Sequence, residues 1–225
     1  MQLTQTVTGY MKSSYLVQFV FALSNMTVKE RKVELRKIMN SVLNELKPKD
    51  IEMQSKVVTE KVLQHPKYIE AKSVSVYLSF DKEIDTNALV RDIFKTGKIC
   101  YIPRFKKGFK EMEMVQLYSL EDYGNLPVNK FNIKQPADDE QRPSVFDAGT
   151  LDVILNPGLA FTKDGKRLGR GKGYYDKFLG KCARELNTRP TTLALAFKEQ
   201  IVSDIPTTDT DIMMDYVLYE DGRVE

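Results

Sequence analysis

Sustained hydrophobic periodicity begins after residue 26. Thr27-Val28-Lys29-Glu30 has the S/T-x-x-E form in which a helix start closes on itself. Leu35, Ile38, Met39, Val42, Leu43 and Leu46 then recur at helical spacing and predict an amphipathic helix. A second helix is predicted from near Asp50 to just before His65-Pro66. Residues 73–79 alternate, with Val74, Val76 and Leu78 on one face, and read as a strand. After the loop 80–86 comes a helix carrying Leu89, Val90, Ile93 and Phe94, closed by Gly97, and then a strand over 99–103. This strand–helix–strand order with short connections predicts a parallel βαβ unit.

Residues 104–150 are less regular, with a strand suggested by Met112, Met114 and Leu117. Strands are predicted again over 151–155 and 191–197 and around Tyr216-Val217-Leu218, with Asn156-Pro157-Gly158 as a turn. The pattern as a whole reads as an α/β fold with a parallel sheet, in which ligands sit beyond the carboxyl ends of the strands.

The stretch from Lys166 to Asp176 stands out chemically. Gly169, Gly171 and Gly173 alternate, four cations fall within seven residues, and Phe178, Leu179, Cys182 and Leu186 follow at helical spacing. A glycine-rich basic turn opening a helix suits an anion, because close-approaching amides and the helix dipole both favour negative charge. The spacing matches neither G-x-x-x-x-G-K-[ST] nor G-x-G-x-x-G. Asp176, in the first helical turn, would be repelled by bound phosphates unless a divalent cation lay between them, and so points to magnesium. The plainer alternative is a basic surface turn with a helix-start carboxylate. Position alone gives equally plain readings elsewhere. Lys32 and Arg36 share a helix face at the edge of the apolar stripe and read as snorkelling cations. Glu83 reads as a loop acid, and Asp209 and Asp211 as solvated turn residues.

Composition narrows the function classes. The chain has 225 residues, 42% hydrophobic and 29% charged, as expected of a soluble globular protein. A net charge of +3 does not call for nucleic acid. Cys100 and Cys182 cannot form a disulfide framework, and His65, the only histidine, leaves no Ser–His triad or His-rich zinc site. Residues 1–28 carry one charge, Lys12, and the apolar run 15–23 is too short to span a bilayer. The segment reads as an extension with little fixed order. A cytoplasmic location is expected, with a mitochondrial one as the alternative if residues 1–28 act as a leader.

Taken in order, these motifs resemble the 5-formyltetrahydrofolate cyclo-ligase (methenyltetrahydrofolate synthetase) family over residues 27–219. The most specific are Asn156-Pro157-Gly158-Leu159-Ala160-Phe161 and the run from Gly165 to Asp176. Supporting ones are Lys32-x-x-x-Arg36, Tyr77-Leu78-Ser79 with Glu83-Ile84-Asp85-Thr86, Ile102-Pro103, the run 193–197, and Asp211 with Asp215-Tyr216-Val217. The resemblance implies a three-layer sandwich around a mainly parallel sheet, related to sugar-phosphate isomerases and CoA transferases. It implies residues 1–26 as an extension and 27–225 as one cyclo-ligase domain, active as a monomer without nucleic acid or membrane. It also implies ATP- and magnesium-dependent cyclisation of 5-formyltetrahydrofolate, possibly polyglutamylated, to the 5,10-methenyl form.

By the same resemblance Lys32, Val33, Glu34, Leu35 and Arg36 contact ATP, together with Arg167, Leu168, Gly169, Arg170, Gly171, Lys172, Gly173, Tyr174 and Tyr175. Arg36, Leu78, Glu83 and the portion 170–174 contact the folate, Asp176 and Asp211 ligate magnesium, and Arg36, Arg170 and Lys172 serve catalysis. Arg104, Lys106, Lys107 and Lys110 are either contacts for a glutamate tail or solvated cations. Two other readings compete: an isomerase-like phosphate binder that consumes no ATP, and a non-catalytic RNA-binding module.

Overall fold

A capping box opens the first helix, α1 (Val28–Asn44). The Thr27 hydroxyl accepts from the Glu30 N–H at 3.3 Å, and the Glu30 carboxylate accepts from the Thr27 N–H at 2.8 Å. The structure is a computed structural model that describes residues 26–222 except 81, 107, 110 and 129–132. The expectation for the N-terminal extension falls outside the described residues, as do Lys107 and Lys110.

Beyond α1 lie α2 (Pro48–Gln64), α3 (Pro66–Glu70), β1 (Ser73–Ser75), α4 (Asn87–Lys95), β2 (Ile99–Arg104), β3 (Glu113–Leu117), α5 (Leu120–Asn125) and α6 (Val145–Ala148). Then come β4 (Val153–Asn156), β5 (Ala160–Phe161), β6 (Arg167–Leu168), α7 (Tyr174–Glu185), β7 (Thr191–Leu195), a 3₁₀ turn (Lys198–Gln200) and β8 (Tyr216–Leu218). Six strands form one sheet in the order β3-β2-β1-β4-β7-β8, and β5 pairs with β6 in a small hairpin. All pairings in the large sheet are parallel except β2–β3.

Strand alternation makes the three layers. Cys100, Ile102, Val153, Leu155, Leu193 and Leu195 face the cluster built with α1, α2 and α4. Tyr101, Ile154 and Ala194 face the opposite cluster, which contains Phe178, Leu179 and Cys182 of α7. Both cysteines are buried and free, and burial pushes each thiol up to about 12. Among the described residues no helix is long and apolar enough to cross a membrane.

The expected strand over 73–79 is shorter than its alternation suggests. Regular pairing ends at Ser75; the Val76 N–H still donates to the Tyr101 carbonyl at 2.9 Å, and then the chain leaves the sheet. The cause is topological. β2 lies on one side of β1 and β4 on the other, so a crevice opens beyond the carboxyl ends of β1 and β4. Tyr77 and Leu78 line that crevice instead of continuing a ladder.

His65 links α2 to α3. Its Nδ1 accepts from the Lys67 N–H at 3.2 Å, its ring packs edge-on to Tyr216, and its buried Nε2 has no hydrogen-bond partner. Burial, reinforced by the Lys67 charge, holds the imidazole below its usual value of 6.5. The unfolded chain therefore takes up this proton first. Stability contributed by neutral His65 is complete above the ordinary value and is lost as pH falls toward the folded one. We expect the urea midpoint to decline as pH falls below the ordinary imidazole value of 6.5. His65→Asn, which keeps a cap acceptor, should flatten that decline; an equal decline in both proteins would remove His65 as its cause.

Candidate active site

The segment 169–173 joins β6 to α7 and runs between two cavities. Gly171 and Gly173 have φ of +101° and +67°, conformations that favour glycine, so two of the three alternating glycines have a backbone cause. Gly173 is the residue before the first turn of α7, and its carbonyl accepts from the Lys177 N–H at 3.0 Å.

The first cavity, about 540 Å³, is largely apolar. The strand ends build it: Tyr77, Leu78 and Phe80 after β1, Pro103 and Phe105 around the end of β2, and Pro157 and Gly158 after β4. Arg170, Lys172, Tyr174 and Tyr175 close it from the glycine segment, and Glu83 is its polar acceptor. The second cavity, about 770 Å³, is charged. Lys32 and Arg36 from α1, residues 208–212, and Lys177 and Lys181 from α7 line it. Arg167, Gly169, Gly173 and Asp176 border both cavities, so the glycine segment is a shared wall.

The charges are arranged in pairs. Lys32 Nζ lies 2.6 and 2.5 Å from the two Asp211 carboxylate oxygens, and Oδ2 also accepts from the Thr208 N–H and hydroxyl at 2.6 and 2.8 Å. Burial pushes the Asp211 carboxyl up, but Lys32 and Thr208 outweigh it and hold the group below the usual carboxylate range. Arg36 Nε donates to the Gly169 carbonyl at 2.9 Å, and its guanidinium lies against Gly171. Burial lowers its pKa and Asp211 opposes the shift; an arginine so placed stays a cation.

Arg167, 4% exposed, donates to Asp176 at 3.0 Å and to the Pro157 carbonyl at 3.3 Å. The other Asp176 oxygen accepts from the Ile212 N–H at 3.4 Å, so the chain beside Asp211 is tied to Asp176. Across the apolar cavity Arg170 reaches Glu83 at 3.3 Å and stacks on the Phe80 ring. Burial raises the phenols of Tyr77 and Tyr175 far above their ordinary range, so both are neutral donors.

Asp176 and Asp211, two of the four acids that line the charged cavity, lie beside a basic glycine segment and are a donor set of the kind magnesium takes. That ion takes one or two carboxylates and completes its shell with water and phosphate oxygens. Among the described residues no group of three or more His, Cys, Asp or Glu gathers, so Asp176 and Asp211 carry the fit alone.

The structure therefore brings Lys32, Arg36, Leu78, Glu83, Asp211 and the whole run from Arg167 to Asp176 to the two cavities. It does not bring in three residues of α1. Val33 is exposed, Glu34 pairs with Lys37 at 3.1 Å, and Leu35 is buried in the core. Arg104 is 4% exposed and bound to Glu113 and to the carbonyls of Ala137 and Glu140, which leaves it unsuited to a glutamate tail. Lys106 pairs with Glu113 at 3.2 Å. Reading the residues missed Tyr77, Phe80, Pro103, Phe105, Ile133 and Pro157 as cavity walls. Asking which residues end each parallel strand would have found Tyr77, Pro103 and Pro157.

Comparison with known proteins agrees with the family resemblance and with the fold. The model of the 5-formyltetrahydrofolate cyclo-ligase family matches residues 28–220. The 5-formyltetrahydrofolate cyclo-ligase of Mus musculus is 44% identical over 196 residues, covering 87% of this chain and 97% of the mouse protein. A probable 5-formyltetrahydrofolate cyclo-ligase of Caenorhabditis elegans is 37% identical, with coverage of 86% and 94%. The NMR structure of Aquifex aeolicus 5,10-methenyltetrahydrofolate synthetase superposes with a TM-score of 0.67 at 27% identity, over 85% of this chain and 90% of that one.

Proposed function

The chain belongs to the 5-formyltetrahydrofolate cyclo-ligase family, and from that premise we propose that it cyclises 5-formyltetrahydrofolate to 5,10-methenyltetrahydrofolate at the expense of MgATP. The observation that carries this reading is the shared glycine wall. An apolar cavity with the buried acid Glu83 lies on one side, and a cavity with Lys32, Arg36, Asp176 and Asp211 among its lining lies on the other. A pterin suits the first and a triphosphate the second.

The chemistry needs the two ligands to meet across that wall. The formyl oxygen attacks the γ-phosphorus, the bond from phosphorus to the bridging oxygen breaks, and ADP leaves. The formyl carbon, now bearing a phosphate, is electrophilic. The N10 lone pair of the same folate adds to it; the carbon–oxygen bond then breaks, phosphate departs and the N10 proton passes to phosphate or solvent. Ring closure is intramolecular, so proximity favours it. No covalent enzyme intermediate or histidine base is required. The protein's part is alignment and charge dispersal.

In this reading Arg36 approaches the transferred phosphoryl group from the nucleotide side, and Arg170 and Lys172 approach it from the folate side. The amides of the glycine segment add donors to the phosphates. Asp176 and Asp211 would hold magnesium, which supplies neutralisation of the phosphate charge when bound. Lys32, now paired with Asp211, would turn to a phosphate oxygen of the bound nucleotide. Leu78 packs on the pterin, and Glu83 accepts from its amino and ring N–H groups.

Glu83→Gln tests the two-ligand reading. It sets an N–H donor against pterin donors, so the Kd for 5-formyltetrahydrofolate should rise about tenfold to a hundredfold while that for MgATP stays near wild type. Calorimetric titration of both proteins with each ligand measures this. Unchanged folate affinity would take Glu83 out of the site, and a wild-type protein that binds neither ligand would end the reading itself.

A further inference from the structure

Phe105 is a wall of the apolar cavity, and its ring packs on Tyr174 of the glycine wall with centroids 4.9 Å apart. It stands one residue past the end of the β2–β3 ladder, whose last pair is Arg104↔Glu113. Strand pairing therefore does not hold its backbone. The side chain of Gln135 does. The Phe105 N–H donates to Gln135 Oε1 at 3.2 Å, and Gln135 Nε2 donates to the Phe105 carbonyl at 3.2 Å. A primary amide here makes the two hydrogen bonds that a neighbouring strand would make. Gln135 is 6% exposed, and its own N–H donates to the Pro127 carbonyl at 3.1 Å.

The clamp is seated on buried charge. Arg104 holds the Ala137 and Glu140 carbonyls at 3.3 and 2.6 Å, and Arg142 holds Asp122 at 2.5 Å. These bonds tie the segment around Gln135 to β2 and α5, while Ile133 of the same segment lines the cavity. Gln135 itself is not part of the lining. We propose that Gln135 is a positioning residue: it fixes Phe105, and through Phe105 the width of the cavity that takes the aromatic body of the folate.

The inference rests on the folate assignment above, and the test separates the two. Gln135→Met removes both hydrogen bonds at nearly constant volume, and Gln135→Glu keeps an acceptor for the Phe105 N–H but sets an oxygen against the Phe105 carbonyl. The KM for 5-formyltetrahydrofolate should rise about tenfold in both variants. KM for MgATP should stay close to wild type in both. Phe105→Ala should also raise the folate KM, and adding Gln135→Met to it should bring no further rise, because Gln135 acts through Phe105. Additive effects, or equal rises in both KM values, would overturn the positioning role. If Gln135→Met does not fold, the split in Gln135→Glu decides by the same criterion. A wild-type enzyme that turns over without 5-formyltetrahydrofolate would overturn the folate assignment and this inference with it.

Discussion

Replacing Arg36 by alanine should lower kcat about a hundredfold to a thousandfold, the usual cost of removing one preorganised donor from a developing anion. The side chain holds the Gly169 carbonyl at 2.9 Å and covers Gly171, so it touches the glycine wall from the nucleotide side. Its loss removes a brace on the loop that carries Arg170 and Lys172 and, in the proposed reading, a charge aimed at the transferred group. The fold should survive. Alanine favours helix, and α1 is held by Leu35, Met39 and Leu43, which are buried. Arg36→Lys should recover little, because a point charge cannot hold a carbonyl and a phosphate oxygen together in one plane. Turnover at saturating substrates, with circular dichroism as a control, measures the effect. A kcat within a few-fold of wild type would remove Arg36 from catalysis.

Asp176→Ala should be more damaging still, because two functions fail together. Arg167 is 4% exposed and relies on Asp176 and the Pro157 carbonyl, and its Nε is already a buried donor without a partner. Stranding it should cost near the low end of the ~3–5 kcal/mol seen when one partner of a buried pair is removed, since Asp176 keeps some exposure. The same substitution removes one of the two carboxylates proposed to hold magnesium, so turnover should become undetectable. Asp176→Asn separates the effects. It keeps an acceptor for Arg167 and most of the stability, yet should still lose at least about a hundredfold in kcat, with magnesium needed at higher concentration. Retained activity in Asp176→Asn would mean that Asp176 serves the fold alone.

Much of this fold was readable because burial leaves a period. The helical spacing of Leu35, Met39 and Leu43 is imposed by local geometry, and the apolar run 153–155 marks a strand buried on both faces; both survive in the structure, the strand as Val153–Asn156. The end of β1 at Ser75 was not readable. Val76 and Leu78 keep the alternation of a strand, and nothing local says that the chain leaves the sheet after the last bond from Val76 to β2. The opposite direction of β3 and the β5–β6 hairpin were likewise missed, because short strands carry too few residues to show a direction or a partner.

The site was legible in unequal parts. The glycine segment declares itself locally, since anion binding needs glycines and cations in one short run. Lys32 and Asp211 do not. They lie 179 residues apart, and nothing in the spacing of either says that the fold will join them. Read alone, they were a snorkelling cation and a turn acid; the resemblance to a known family carried their assignment. Gln135 had no signal of either kind, because its role is a backbone bond to Phe105 from within the least periodic stretch of the chain.

The central claim is that the glycine wall brings a formyl-folate and MgATP together for cyclisation. The most direct test follows absorbance in the methenyl-folate band with purified protein and 5-formyltetrahydrofolate, with ATP and magnesium added singly and together. The account predicts a rise only when both are present, with one phosphate released for each methenyl group formed. A rise without ATP, or no rise while both ligands bind, would contradict it.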